Sequence, residues 1–485
     1  MIRQKGDSGM VMTKEDMQLI GKLKKFPADY WDFRKDDTKE FTHGIHNYPA
    51  MMVSPISRNI IKLVKSIRPV HALLDPFSGS GTTLVEGMLS GIENIAGNDI
   101  NPLALLLTKV KTTPLQYDIL MNEINQLLQR LVMRKSVLSN ALNNVDSYII
   151  DALQLDVTDK KGWGEEAHKY LKEYCLSKKI DITIPKFKNL GYWFRPRVIM
   201  ELSIIKSEVE KIGDSDIRNF VFIALSECIR FVSNRRNGEF KMFRMPVDKV
   251  RNFTPDVYDE FKNILIRNAN KMKEFTQVIE ERGIHTQISV SRNNACTLND
   301  VPNNTYDLII TSPPYGDSRT TVAYGEYSRL SLQWINIFDL SEKEIMGIDK
   351  SLMGGKKYKQ GFNFSLQSAT LKKSIDKIKN ADLERAGDVY SFYVDLNASI
   401  KSVAEKTCSG GYQFWVVGNR TVKNELLHTD IIITELAKQH GLTTIYTIGR
   451  NIPNKVMPSL NSPSNISGEK GVTMTTEHIV ILRKD

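Results

Sequence analysis

The chain has 485 residues, 41% hydrophobic and 25% charged, with a formal charge of +10, which describes a globular protein of two or three domains, or of one domain carrying a large insertion. No apolar run is long enough to span a bilayer, and residues 1–14 lack the apolar core of an export signal. Four scattered cysteines (Cys175, Cys228, Cys296 and Cys408) form no Cys-x-x-Cys pair, which argues against a zinc site or a disulfide framework and leads us to expect a reducing cytoplasm, no membrane and no metal.

In chain order, the first clear element is the apolar run Val70–Leu74. It ends at Asp75 and passes through a glycine turn into helical sequence from Thr82 to Leu89. Asn94–Gly97 predicts a second strand, and Asn101-Pro102 predicts the cap of a helix reaching about Val110, with proline in its first turn. From 112 to 284 the apolar spacing is helical, as in Ile119–Val132, Val198–Ile212 and Asp216–Phe231. This predicts a large α-helical insertion, serving as a target-recognition or a scaffold unit. Strands return at Gln287–Val290 and Tyr306–Ile310. Residues 346–380 are rich in Gly and Lys and read as a basic mobile segment outside the core. A buried strand Tyr412–Val417, a helix Glu425–Gln439 and strands Thr443–Ile448 and Glu477–Leu482 complete the alternation.

The fold class expected is α/β, with a doubly wound, mostly parallel, Rossmann-like sheet built from residues 1–111 and 285–485. Ligands of such sheets bind beyond the carboxyl ends of the strands. Each unusual motif in this sequence stands at such an end.

The first motif is Asp75-Pro76-Phe77-Ser78-Gly79-Ser80-Gly81-Thr82-Thr83. Two glycines let the backbone approach a ligand, and the helix that follows offers free N–H groups. No Lys-Ser/Thr follows the glycines, so this is not a phosphate loop, and the three-glycine dinucleotide fingerprint is absent too. A strand-end acid with a Gly-x-Gly turn suits a ligand bearing an ammonium and a carboxylate, such as the methionine part of S-adenosylmethionine. Asp99 follows 24 residues after Asp75, at the end of the second strand, where a carboxylate can accept from both hydroxyls of a ribose. Alone, such an aspartate would read as a turn former; with the preceding loop it reads as a nucleoside ligand.

The third motif is Thr311-Ser312-Pro313-Pro314-Tyr315. Two prolines stiffen a strand end and leave carbonyls free to accept. The amino nitrogen of a base is a poor nucleophile, because its lone pair is delocalised into the ring. Acceptors at Ser312 and Pro313 would localise that pair, and Tyr315 can stack on a base taken out of the duplex.

On these residues the chain resembles the amino-methyltransferases of DNA, which modify N4 of cytosine or N6 of adenine. The resemblance rests on Asp75–Thr83, Asp99-Ile100-Asn101-Pro102 and Thr311–Tyr315. Thr42-His43-Gly44-Ile45-His46-Asn47-Tyr48-Pro49-Ala50-Met51 is similar to the segment covering the methionine end of the cofactor, and Arg450–Lys455 to a late loop near the target base. The match covers most of 41–111 and 285–485. It implies S-adenosylmethionine held by Tyr48, Pro49, Asp75, Pro76, Phe77, Ser78, Gly79, Gly81, Thr82, Asp99, Ile100 and Thr311. Where the family has an acid after the third strand, this chain has Asn294-Ala295, whose carbonyl can still accept from the adenine amino group. Ser312, Pro313, Pro314 and Tyr315 become the catalytic residues of a direct transfer without metal or covalent enzyme intermediate.

Serine at 312 favours cytosine N4, with adenine N6 open. The cytosine-C5 reaction needs a cysteine nucleophile, and none of the four cysteines follows a proline in a strand-end loop. The resemblance further implies double-stranded DNA as partner, with a cognate restriction endonuclease if the chain serves restriction–modification. A guanine-N2 methyltransferase of transfer RNA and a silent DNA-binding subunit are the rival readings. Two basic runs are candidates for DNA contact: Arg235, Arg236, Lys241 and Arg244, and a lysine-rich stretch with Lys356, Lys357 and Lys359.

Overall fold

Seven strands build the central sheet: β1 (Ala72–Asp75), β2 (Asn94–Asn98), β3 (Gln287–Ser291), β4 (Tyr306–Thr311), β5 (Thr407–Gly418), β6 (Leu442–Asn451) and β7 (Thr476–Lys484). The computed structural model describes residues 12–236, 240–317, 322–358, 361–452, 460–461, 471–472 and 474–485. The strands lie in the order β3-β2-β1-β4-β5-β7-β6. Pairing is parallel from β3 through β5, and β7 runs antiparallel between β5 and β6. The sheet is therefore mostly parallel and doubly wound, as the sequence predicts. Strand order reverses beside β1, so the carboxyl ends of β1, β2 and β4 open onto one crevice.

Alternation of side chains along the strands divides the core in two. Leu73, Leu308, Ile310, Phe414, Val416, Ile479 and Ile481 point to one face. Leu74, Ile309, Trp415, Val417, Val480 and Leu482 point to the other. The first face is covered by α1 (Thr82–Leu89), α2 (Pro102–Lys111) and the helices of the insertion, chiefly α3 (Ser215–Phe231) and α4 (Val257–Glu281). That insertion is helical as expected, and shares one continuous core with the sheet rather than closing on itself. On the same face lies α5 (Tyr324–Ile335), packed on α3.

Two local expectations are corrected. Residues 346–380 are not all outside the core. Helix Glu342–Ser351 enters the segment, and helix Ala369–Ala381 closes it, burying Leu371, Ile375 and Ile378 in the second core beneath its lysines. The spacing of those three residues is that of a helix face, which the surrounding charge hid. The helix expected at Glu425–Gln439 begins instead as a strand. Lys423 and Asn424, both at positive φ, turn Arg420–Val422 back on Glu425–Leu427, and the helix starts only at Thr429.

Candidate active site

The loop after β1 is shaped by two glycines in the left-handed region, Gly79 (φ 50°) and Gly81 (φ 78°). At Gly81 a Cβ would come within 3.0 Å of the Thr108 backbone, so glycine is required both by conformation and by the approach of α2. Thr108 Oγ1 donates to the Gly79 carbonyl at 3.1 Å, and the Ser78 amide donates to the Asn98 carbonyl at 2.9 Å. No side chain caps α1, and Thr82 and Thr83 of its first turn line the cleft. Ser78 Oγ is buried and has no partner. An open helix start and an orphan hydroxyl fit an anionic, polar ligand group.

Asp99 takes the Gly79 amide on Oδ2 (2.9 Å) and the Asn101 amide on Oδ1 (2.8 Å), leaving lone pairs on both oxygens. Asp75 accepts from Thr311 Oγ1 at 2.7 Å and from the Phe77 amide at 3.1 Å. Burial pushes both carboxyls up from 3.8 to about 6 against these hydrogen bonds.

One cleft gathers most of the predicted residues. Tyr48, Pro49, Asp75, Pro76, Phe77, Ser78, Gly79 and Thr82 line it, with Asp99, Ile100, Asn294 and Ala295. Ser312 and Pro314 border the same space. Gly81 and Thr311 stand behind the wall, the first against Thr108 and the second holding Asp75. Pro313 is buried. The Tyr315 ring lies against Gly418, where a Cβ would meet it at 2.8 Å. Asn294 spends part of its carbonyl on the Cys296 amide at 2.9 Å.

The decisive point is that a methionine-type loop and a Ser-Pro-Pro-Tyr loop, far apart in sequence, face one cleft. The chain is 37% identical over 482 residues to the type II methyltransferase M.MvaI of Kocuria varians, covering 97% of this chain and 98% of that one. The chain belongs to the type II DNA methyltransferases. A second relative, the type II methyltransferase M.MjaII of Methanocaldococcus jannaschii, is 27% identical over 249 residues, 45% of this chain and 46% of its own. No family model matches the chain. The solved rRNA methyltransferase aviRa from Streptomyces viridochromogenes aligns over 90% of this chain and 88% of its own, at 10% identity and a TM-score of 0.28, too loose to add to the assignment.

The methyltransferase thus methylates DNA and uses S-adenosylmethionine. Several residues of its cleft carry no motif. Tyr324, at the start of α5, lines the cleft and stacks on Tyr48 with ring centroids 6.1 Å apart. Asn101 Nδ2 donates to Tyr48 Oη at 2.9 Å and to Ser328 Oγ at 2.7 Å, tying the N-terminal segment to α5. His46 meets Ser226 Oγ at 2.8 Å, and Asn47 donates to Glu227 at 3.0 Å. Helix α3 of the insertion therefore braces the arm that carries Tyr48. Asn98, fully enclosed, donates to the carbonyls of Pro76 and Asn293 and joins the loops after β1, β2 and β3. An aspartate-to-ribose spacing can be read in a sequence; Asn98, Ser226, Glu227, Tyr324 and Ser328 carry no such signal.

The basic runs separate by burial. Arg235 is enclosed and donates to the Arg236 carbonyl. Arg244 lies 4.1 Å from the centroid of Tyr192 and donates to the Thr158 carbonyl at 2.8 Å. Both guanidinium groups, grouped with the surface run on charge alone, are turned into the protein. Arg236, Lys356 and Lys357 are exposed and Lys241 is half-buried. Lys359 lies outside the described residues, as do Pro453, Asn454 and Lys455 of the late loop. Arg450, expected in that loop, instead lies in β6, buried and bonded to the Trp31 carbonyl at 2.7 Å. Among the described residues no group of His, Cys, Asp and Glu could hold a metal, and no helix is long and apolar enough to cross a membrane.

Proposed function

We propose that this methyltransferase modifies N4 of cytosine at a specific DNA sequence, acting on a base flipped into the cleft beside Ser312. The observation that carries the reading is the shared cleft: Ser312 and Pro314 border the same space as Gly79 and Asp99. S-adenosylmethionine supplies an electrophilic methyl group on a sulfonium. Asp99 would hold the ribose hydroxyls, the open start of α1 and Ser78 the methionine carboxylate, and Asp75 the ammonium side. Ser312 Oγ and the Pro313 carbonyl would accept from the base N–H groups and localise the nitrogen lone pair, and they stabilise the positive charge that grows there as the new bond forms. Serine at 312 is what favours cytosine over adenine. A cognate restriction endonuclease is the partner this role implies. Modified-base sequencing of host DNA after expression of the chain tests it: N4-methylcytosine at one short motif is expected, and N6-methyladenine there overturns the choice of base.

The rim of the cleft supports a duplex lying across it. The Met242 amide is bound by Glu326 on α5 at 2.6 Å, which places Phe240, Lys241 and Phe243 beside the helix that carries Tyr324. Phe240 and Phe243 are 45% and 50% exposed. Ser351–Met353 also line the cleft, and Lys356 and Lys357 follow directly. If these lysines bind phosphates, each releases a counterion. Lys356→Ala and Lys357→Ala should each weaken cognate and scrambled duplexes alike and flatten the log–log salt dependence by about 0.9. Arg236→Ala should cost about 1–3 kcal/mol at one base pair only, if its fork reads a guanine. Unchanged slopes for both lysine variants, with unchanged base-pair discrimination for Arg236→Ala, would move the DNA face elsewhere.

A further inference from the structure

The catalytic loop is wired to a part of the chain that no motif marks. Ser312 Oγ donates to the Tyr315 hydroxyl at 3.2 Å, and that hydroxyl donates to Glu477 Oε1 at 3.1 Å. The other oxygen of Glu477 receives the Arg450 guanidinium. Arg450 is 5% exposed and is also held by the Trp31 and Asp32 carbonyls. The direction of this chain is forced. An arginine only donates, so Glu477 must accept on that side. A carboxylate only accepts, so the single Tyr315 proton goes to Glu477, and the phenol oxygen is left to receive the proton of Ser312.

We propose that Glu477 is a positioning residue for methyl transfer. Acting through Tyr315, it turns the Ser312 proton away from the cleft, so that Ser312 Oγ offers lone pairs rather than a proton to the amino group of the base. The inference rests on Ser312 being the amino acceptor, as argued above. The relay holds at working pH, because burial and Glu477 keep the Tyr315 phenol far from ionising. Arg450 has a role in it as well, since a fixed donor dictates which way the chain of hydrogen bonds runs.

Glu477→Gln tests this with almost no change of shape. Arg450 still demands an oxygen, so the new amide must turn its NH2 towards Tyr315. The Tyr315 hydroxyl then donates to Ser312, and Ser312 points its proton at the base. The chain is reversed rather than cut. Tyr315→Phe merely releases Ser312.

Single-turnover methylation should be measured on a duplex carrying the site found by modified-base sequencing, with cofactor and DNA affinities measured separately. We expect Glu477→Gln to lose about 100-fold in rate, Tyr315→Phe to lose less, and both affinities to stay within about twofold of wild type. In a Ser312→Ala background the Glu477→Gln change should cost less than about threefold, since its effect passes through Ser312. A wild-type rate for Glu477→Gln overturns the relay, as does an undiminished loss in the Ser312→Ala background, which is what a merely structural role of Glu477 would give. If Glu477→Gln does not fold, Tyr315→Phe carries the same test: its loss must vanish in the Ser312→Ala background. If Ser312→Ala itself methylates at the wild-type rate, the catalytic reading of the loop falls, and the relay with it.

Discussion

Ser312→Ala is expected to slow methyl transfer by about 10²–10³, the range seen when one preorganised polar contact to a developing charge is removed. The amino nitrogen passes from neutral and delocalised to positively charged as it takes the methyl group. An acceptor fixed in place therefore stabilises the transition state more than the bound base, and its loss appears in kcat rather than in KM. The structure makes the substitution clean. Ser312 Oγ bonds the Tyr315 hydroxyl, and that hydroxyl keeps its own bond to Glu477 when the serine is gone. No cavity of consequence opens, and the cofactor side of the cleft is held by other residues. Calorimetric titration with S-adenosylmethionine should match wild type while turnover falls. A variant that methylates at the wild-type rate would remove Ser312 from the chemistry.

Asp99→Ala should cost about 1.5–3 kcal/mol of cofactor affinity, the net worth of hydrogen bonds to a charged acceptor. This corresponds to a Kd raised about tenfold to 150-fold. Asp99 also ties the Gly79 and Asn101 amides, one on each oxygen, so Asp99→Asn, which keeps the size and one acceptor, removes the charge while retaining one of the two ties. The pH dependence has a definite sign. Asp99 and Asp75 rise from 3.8 to about 6 because burial penalises their charged forms. In the proposed binding mode the ribose and ammonium donors need those charges. Affinity should be level above about pH 6 and fall as the pH drops below it, by as much as one decade per unit for each carboxylate involved. Asp99→Asn should remove one of these titrations. Stability of the unliganded protein runs the other way. A carboxyl raised above its unfolded value adds stability that is complete below 3.8 and lost as pH rises through about 6. Calorimetry between pH 5 and 8 decides. A Kd for Asp99→Ala equal to that of wild type, in a folded protein, would reduce Asp99 to a loop anchor.

Much of this site is legible in the sequence. The apolar run into Asp75, the two glycines at 79 and 81, Asp99 at the next strand end and the pentad 311–315 are local signals. Strand periodicity and turn chemistry act over a few residues, so a sequence displays them directly. The doubly wound sheet follows, because an alternating strand–helix chain has few right-handed ways to wind. Charge is a poorer guide. Arg235 and Arg244 count as basic residues just as Arg236 does, yet both spend donors on carbonyls of their own chain. Net charge records neither direction nor burial. Glu477 is invisible for a related reason: a glutamate near the start of a last strand has no mark until β7 is laid between β5 and β6.

By itself, then, the sequence determined the fold class, the helical nature of the insertion and the two motif-bearing loops at strand ends, since each depends on contacts within a few residues or on the repeat of a pattern. Only the tertiary structure decided what those loops share. It brought Ser312 and Asp99 to one cleft, set Tyr324 and the α3-braced arm around that cleft, and closed the chain from Ser312 through Tyr315 and Glu477 to Arg450. These pairings join residues up to hundreds of positions apart. Which side chains meet is fixed by the packing of both faces of the sheet, where burial of apolar surface is shared among all the strands at once and no short stretch carries the answer.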